Sequence, residues 1–263
     1  IHIESSMLSL SKFTEAVLPR GTTTVINDPH EIANAVGIKG IKEMMREAED
    51  SHMRYRFTIP SCVPVLNGKF SNSGSKITSK EVKNLIENKL IVGLGEVMNY
   101  TEVLNLDIET LSKIDIVYKS KGYKKINPII DGHAPLLSGK RLSAYINSGI
   151  LADHECSNGQ ELEEKLSKGM YIMMRNGSSA KNMSELLKYI IKNNIDTRRI
   201  LFCSDDKNPY ELYKYGHIDH TLREAKKIID QFDTKLTVVD LIRMATLNVA
   251  EFFGFNYLGK ITI

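Results

Sequence analysis

The feature of this sequence that most constrains its fold is an alternation of short β-like runs with amphipathic helical runs, repeated eight times. Such alternation indicates a parallel sheet whose strands are joined by helical crossovers. The predicted strands are about Ile1–Ile3, Thr22–Ile26, Arg54–Ile59, Leu90–Leu94, Pro128–Ile130, Ile150–Ala152, Met170–Met174 and Ile200–Cys203. The predicted helices include Lys39–Glu49, Ser79–Asn88, Ile108–Ser120, Gly139–Asn147, Gln160–Ser167 and Met183–Asn193, with one or two more in Thr237–Phe253.

Eight such units in 263 residues fit a (β/α)8 TIM-type barrel, which typically takes about 250 residues. We therefore predict an α/β fold with one barrel over residues 1–263. The alternative is an open doubly wound sheet, but no Gly-x-Gly-x-x-Gly loop follows the first predicted strand. Local signals agree with the helix bounds. Thr78–Glu81 reads as a capping box, and glycines at helix ends favour left-handed backbone at Gly21, Gly122, Gly149 and Gly169.

Composition excludes several classes of protein. The net charge is only +3 and the lysines are dispersed, so we expect no nucleic-acid partner. No apolar stretch approaches the roughly 20 residues that span a bilayer, so we expect no membrane association. The three cysteines are widely spaced, which argues against a disulfide framework and favours a cytoplasmic location.

Histidines and carboxylates recur where the predicted strands end. Three histidines stand next to or near a carboxylate, namely His2 with Glu4, His133 with Asp131 and His154 with Glu155. His30 lies more loosely between Asp28 and Glu31. Two further runs end in acids without a histidine, at Glu96 and at Asp205–Asp206. Imidazoles and carboxylates bind divalent transition metals. Because the carboxyl ends of barrel strands meet at one face, these side chains predict one metal site built from many strands.

Several of these signals also have a structural explanation. His133 fits a buried, hydrogen-bonded histidine, and Asp205 and Asp206 fit caps of a helix that begins near Pro209. We interpret Asp28 as a turn residue. The helical spacing of His217 and His220 favours a packing or solvated helix face over a metal site.

Longer sequence motifs, which cover nearly the whole chain, resemble those of a known family. The order His2, Glu96, His133, His154, Asp205 resembles the amidohydrolase superfamily, and the local sequences resemble its bacterial adenine deaminase family. The matching segments are residues 1–7, 21–25, 28–34, 60–64, 93–99, 131–135, 153–156, 216–220 and 244–248.

The resemblance implies a hydrolase that converts adenine and water to hypoxanthine and ammonia with two divalent ions, Mn²⁺ or Fe²⁺ commonly and Zn²⁺ as another option. There is one departure. The family's first strand ends His-Ile-His-Ile-Glu, whereas this sequence starts after the first of those histidines. The family also continues beyond the barrel into a small β-domain and a C-terminal region. We therefore expect this sequence to be the barrel of a longer chain.

The resemblance also implies roles for individual residues. Glu96 would bridge the two ions, His2 and Asp205 would bind the first, and His133 and His154 the second. Glu155 or Glu31 would protonate N1 of adenine, and Asp205 would pass the proton of the attacking water to the leaving amine. Further residues are expected to contact the substrate, namely His30, Asn99, Arg175 and Ser61.

Two other functions stay open at this point. A cyclic-amide hydrolase of the dihydroorotase or hydantoinase type would share the fold, although such enzymes usually carry lysine where this chain has Glu96. The second alternative is a non-catalytic barrel that only binds a ligand. Against it, the chain retains every type of metal-binding residue expected after the first strand. The expected partners are a purine and a second copy of the chain in a homodimer.

Overall fold

The computed structural model describes residues 1–65, 72–120 and 128–261. Its strands pair only in parallel, as a curled four-stranded sheet in the order β1-β2-β3-β4 and a three-stranded sheet in the order β5-β6-β7. The strands are β1 Thr24–Asn27, β2 Arg54–Ile59, β3 Ile91–Val97, β4 Ile129–Gly132, β5 Ala152–Asp153, β6 Tyr171–Arg175 and β7 Ile200–Cys203. The predicted alternation is therefore confirmed for these seven strands, with ends that differ by a few residues.

Backbone hydrogen bonds also connect the two sheets. Between β4 and β5, the amide of Leu151 donates to the carbonyl of Ile130 at 3.0 Å. On the other side, the first two residues lie between β1 and the loop that follows β7. Asp28 N donates to Ile1 O at 2.9 Å, and His2 N donates to Asp205 O at 3.4 Å.

The predicted first strand, Ile1–Ile3, is wrong as a strand. Only His2 forms an isolated parallel bridge, with Asp206, and a 3₁₀ helix begins at Ile3 and ends at Ser6. The physical reason is that the amide of Ile3 donates to the Asn27 side chain at 2.9 Å instead of to a neighbouring backbone carbonyl. The chain therefore leaves the sheet one residue after His2.

The helices surround these strands. They are α1 Leu10–Val17, α2 His30–Val36, α3 Ile38–Glu49, α4 Ser79–Leu85, α5 Tyr100–Leu104, α6 Ile108–Ser120, α7 Gly139–Asn147, α8 Gly159–Ser167, α9 Met183–Asn193, α10 Pro209–Lys214, α11 Ile218–Ile229, α12 Val238–Ala245 and α13 Leu247–Phe252; a second 3₁₀ turn covers Leu18–Arg20. The predicted helices are confirmed, although α4 is shorter than expected and Thr237–Phe253 divides into α12 and α13. In the described ranges, no helix is long and apolar enough to cross a membrane.

The residues predicted to begin and end helices have the expected conformations. Thr78 and Glu81 form the capping box of α4. Gly21, Gly149 and Gly169 have φ of 95°, 104° and 93°, a left-handed backbone that glycine adopts without steric cost. The fourth predicted position, Gly122, lies outside the described residues.

Strand β3 is buried at every position, because its two faces are covered by other parts of the protein. Two of its glycines permit close approaches. A Cβ on Gly93 would lie 2.1 Å from the backbone oxygen of Ile129 in β4, and one on Gly95 would lie 2.3 Å from Asp28 Oδ2. Glycine at 95 therefore leaves room for the Asp28 carboxylate beside Glu96.

Candidate metal centre

Five predicted metal ligands meet at the carboxyl ends of the strands. Glu96 is the second-last residue of β3, His133 follows β4, His154 follows β5 and Asp205 lies two residues after β7, while His2 lies at the bridge beside Asp206. His2 and Asp205, 203 positions apart in sequence, thus come within 3.3 Å of each other. The parallel topology explains this, since it places the carboxyl ends of the strands at one edge.

Each carboxylate oxygen of Glu96 faces a different pair of histidines. Oε2 lies 2.8 Å from His133 Nδ1 and 3.0 Å from His154 Nε2. Oε1 lies 3.2 Å from His2 Nε2 and 3.3 Å from His30 Nδ1. A carboxylate placed in this way has the geometry to serve two neighbouring cations at once.

The ring orientation of His2 suits a metal ligand. Its Nδ1 is 2.9 Å from the backbone oxygen of Asp28, which can only accept, so this nitrogen donates. That hydrogen bond leaves Nε2 free for a ligand, and Nε2 points between Glu96 and Asp205, with Asp205 Oδ1 3.3 Å away.

The electrostatics of this cluster favour positive charge. Burial raises the pKa of Glu96, but hydrogen bonds from His133, His154, His2 and His30 outweigh burial and hold that pKa well below its usual value. Burial lowers the pKa of His154, but Glu96 and neighbouring carboxylates raise it to about 9. The cluster therefore retains a carboxylate and attracts cations, including protons onto its own imidazoles.

Unpartnered atoms beside Glu96 indicate the same preference. Among the described residues, neither carboxylate oxygen of Asp28 has a hydrogen-bond partner. These atoms are buried, where an unsatisfied polar group costs about 1–3 kcal/mol. Two groups of side chains each bring one possible ligand atom per residue within 4.8 Å of one another. The first group is His2, Asp28, His30 and Glu96, and the second is Glu96, His133 and His154. The residues present therefore fit divalent metal ions.

Arg175, the last residue of β6, joins two of the predicted catalytic acids. Its guanidinium hydrogen-bonds both oxygens of Glu155, with Nη2 to Oε2 at 3.0 Å, and Nη1 is 3.0 Å from Asp205 Oδ2. Glu155 Oε1 also lies 3.7 Å from His133 Nδ1 and from His154 Nε2. Glu155, Asp205 and Arg175 consequently face the same space as the histidines.

The other predicted site residues are more peripheral. Glu31 is exposed and accepts a hydrogen bond from Ser5 at 3.2 Å. Asn99 is half-buried and caps α5 through Glu102 N. Ser61 is buried and donates to the backbone oxygen of Glu96 at 2.5 Å, so its hydroxyl supports the end of β3.

Two interpretations made from the sequence are corrected here. Asp28 is not merely a turn residue, because its carboxylate lies in the donor cluster with His2 and His30. The helix at Pro209 is capped by Asn208 and not by Asp205 or Asp206. The sequence did contain a signal for Asp28, since it follows β1 directly and stands two residues before His30, but aspartate before proline is also common in turns.

His217 and His220 lie apart from this cluster, as predicted. His217 is buried, with Nδ1 3.1 Å from Thr22 Oγ1 and Nε2 3.0 Å from Ser204 Oγ, so both ring nitrogens are occupied. His220 stacks on Tyr215 with ring centroids 5.4 Å apart.

We expect the variants His217→Gln and His220→Ala to retain the metal content of the wild type by elemental analysis. Loss of one equivalent from either variant would show that a ligand has been misplaced.

His217 also predicts a pH dependence of stability. Burial, followed by the positive charge of Lys207, lowers its pKa from 6.5 to about 3. The unfolded chain therefore binds a proton below about pH 6.5 that the folded protein rejects, so stability falls as the pH decreases from 6.5 towards 3. In urea titrations from pH 6.5 to 4, we expect the wild type to lose up to about 1.4 kcal/mol per pH unit more than His217→Gln. Parallel curves for the two proteins would contradict the buried neutral imidazole.

Comparison with known proteins agrees with the chemistry of this cluster. The profile described as "Amidohydrolase family" matches residues 1–263. The adenine deaminase of Clostridium acetobutylicum is 42% identical over 261 residues, which cover 99% of this chain and 43% of that protein. The adenine deaminase of Thermosipho melanesiensis is 43% identical over 264 residues, covering 100% of this chain and 43% of that protein. The chain thus spans less than half the length of these curated relatives.

Solved structures show the same fold at low sequence identity. A β-aspartyl dipeptidase from Fervidobacterium islandicum, in complex with a β-Asp-Leu dipeptide, aligns with a TM-score of 0.58 at 13% identity, over 91% of this chain and 65% of that chain. An atrazine chlorohydrolase from Arthrobacter aurescens, complexed with zinc, aligns with a TM-score of 0.57 at 15% identity, over 94% and 60% of the two chains.

Proposed function

The chain belongs to the amidohydrolase family, and we propose that it is the catalytic barrel of a metal-dependent adenine deaminase. The observation that carries the proposal is Glu96, whose two carboxylate oxygens each face a separate pair of imidazoles. The choice of adenine rests on the 42–43% identity to adenine deaminases across the whole of this chain.

We propose that the seven strands and the N-terminal segment together form a (β/α)8 barrel. The bonds from Leu151 to Ile130 and from His2 to Asp205 support closure on both sides of the two sheets. In this arrangement His2 takes the place of a residue at the end of the first strand, and residues 1–263 form one catalytic domain. The small-molecule partner is a purine, and we expect a homodimer, which light scattering would test.

Two divalent ions, most suitably Mn²⁺ or Fe²⁺, would be held by these residues. His2 and Asp205 would bind one ion, His133 and His154 the other, and Glu96 both. When bound, such a pair lowers the pKa of a water molecule, so that hydroxide is available near neutral pH. His30 and Asp28 lie beside the residues that would bind the first ion, where they are placed to orient a metal-binding side chain or the substrate.

The chain's own groups would then move the protons. Asp205 accepts the proton of the attacking water and delivers it to the exocyclic amine, which leaves as ammonia. Glu155 donates to N1 as C6 becomes tetrahedral, and it takes back the proton of the C6 hydroxyl as the C6–N bond breaks and C6=O forms. It is better placed for this than Glu31, which is exposed. Arg175 contacts both acids and so holds them in position beside the histidines.

A substrate panel tests this function. The protein at its full natural length, loaded with Mn²⁺, should release ammonia and hypoxanthine from adenine and be inactive on dihydroorotate and hydantoin. Chromatography of the products together with an ammonia assay measures both outcomes. Turnover of a cyclic amide without turnover of adenine would move the enzyme to the alternative class, and no turnover of any compound would contradict a catalytic role.

A further inference from the structure

A buried charged cluster lies behind the loops that carry His133 and His154. Its members are Lys165 on α8, Asp153 at the end of β5 and Glu161 on α8, and we call it the Lys165 cluster. The Lys165 ammonium is fully buried and donates to Asp153 Oδ2 at 2.9 Å, to Glu161 Oε1 at 2.6 Å and to the backbone oxygen of Ala134 at 2.7 Å. All three donor positions of this ammonium are therefore used.

The two carboxylates of the cluster also hold the loop after β4. Asp153 Oδ1 accepts from Ala134 N at 2.7 Å, next to His133, and Glu161 Oε1 accepts from Leu136 N at 2.7 Å. Leu136 has a left-handed φ of 58°, a conformation that side chains other than glycine rarely adopt. The hydrogen bond from its amide to Glu161 helps to maintain that conformation, so the loop is held in one shape.

The same carboxylates hold the loop after β5. Asp153 Oδ2 accepts from Glu155 N at 3.0 Å, and Glu161 Oε2 accepts from both the amide and the hydroxyl of Ser157 at 2.9 Å. Lys165 thus connects two loops that share no strand. His133 Nδ1 and His154 Nε2, carried by these loops, lie 3.3 Å apart, and both face Glu96 Oε2.

Stability alone is a weak explanation for this arrangement. The desolvation of buried charges largely offsets their attraction, so an apolar replacement of similar volume is often as stable. The charges do, however, specify where each loop lies. Asp153, Cys156 and Glu161 also have donor atoms within 4.8 Å of one another, but Lys165 already contacts two of these residues and supplies the positive charge there.

We propose that Lys165 is a positioning residue for the second metal site. By joining the two loops, it sets the separation of His133 and His154 and thereby the affinity of the ion that they share with Glu96. This inference rests on the proposed metal-dependent function. It assigns a role in that function to a residue that reaches neither metal nor substrate.

Metal affinity of the full-length protein tests the proposal without use of a substrate. The variants are Lys165→Met, which keeps the length of the side chain without the charge, and Glu161→Gln, which keeps a partner for Lys165 but removes one loop contact. Lys168→Met is the matched control, because Lys168 lies just beyond the same helix and is partly exposed, with Ser143 Oγ at 3.0 Å and Glu164 Oε1 at 3.8 Å from its ammonium. Equilibrium dialysis against Mn²⁺ measures affinity, and electron paramagnetic resonance distinguishes coupled from isolated Mn²⁺.

We expect the affinity for the second Mn²⁺ to fall about 10–100-fold in Lys165→Met, as for other residues that orient metal ligands, and less in Glu161→Gln. The spectrum should change from a coupled pair towards isolated ions, and saturating Mn²⁺ should restore much of the turnover. Lys168→Met should match the wild type. If Lys165→Met does not fold, as judged by circular dichroism, Glu161→Gln decides the result.

Wild-type affinity for two Mn²⁺ ions in the folded variants would overturn the proposal. A loss of turnover that saturating Mn²⁺ does not restore, at normal metal content, would also overturn it, since it would indicate a structural role alone. Failure of the wild type to deaminate adenine would instead remove the substrate assignment and leave this comparison of metal affinities intact.

Discussion

Replacement of Glu96 by glutamine is expected to abolish binding of at least one of the two metal ions and to lower turnover by about 10³-fold or more. Glu96 offers one oxygen to His2 and His30 and the other to His133 and His154. A neutral amide has a single acceptor oxygen and no negative charge, so it cannot serve two cations. Loss of about 4 kcal/mol of metal-derived stabilisation corresponds to about 10³ in rate.

The measurement is elemental analysis of Glu96→Gln together with steady-state turnover of adenine. Glu49→Gln is the control, because Glu49 forms an exposed pair with Lys89 at 3.5 Å and its replacement removes the same charge from the surface. Thermal melting of the metal-free proteins shows whether Glu96→Gln remains folded. Full occupancy of both metal positions in the folded variant would be incompatible with a bridging carboxylate.

Glu155→Gln should behave differently from Glu96→Gln. The variant should retain its metal content and lose about 10²–10⁴-fold in turnover, the contribution typical of a positioned general acid. Glutamine keeps one acceptor oxygen for Arg175, which donates to both oxygens of Glu155, but it cannot deliver a proton to N1 of adenine. Turnover and elemental analysis of the same preparation measure both effects, and Glu163→Gln, an exposed position on α8, is the matched control.

Two results would contradict this assignment. Turnover unchanged in Glu155→Gln would transfer the acid role to Glu31 or another residue. Loss of metal would show instead that Glu155 holds an ion, which its distance of 3.7 Å from both His133 Nδ1 and His154 Nε2 permits. Because Arg175 also contacts Asp205 at 3.0 Å, the two acids are coupled, and the effects of their variants should not be additive.

The sequence alone determined the alternation of strands and helices and most of the donor set. Apolar runs of the correct length predict strands wherever burial is high, and seven of the eight appear where they were expected. The chemistry of imidazole and carboxylate marks a wider set of residues at the strand ends, and the resemblance to the amidohydrolase superfamily selects five of them, His2, Glu96, His133, His154 and Asp205. The rule that strands of a parallel barrel converge at their carboxyl ends is sufficient to bring these residues together without coordinates.

Only the tertiary structure decided how the donors divide and what holds them. The two oxygens of Glu96 face different histidine pairs, Asp28 enters the site because Gly95 leaves space, and Ile1–Ile3 leaves the sheet because Asn27 captures an amide. The hydrogen bond from Lys165 to the backbone oxygen of Ala134, 31 positions away, could not be predicted from the sequence either. The physical reason is that residue types and local periodicity specify which elements form, whereas distances between remote side chains depend on strand register and packing.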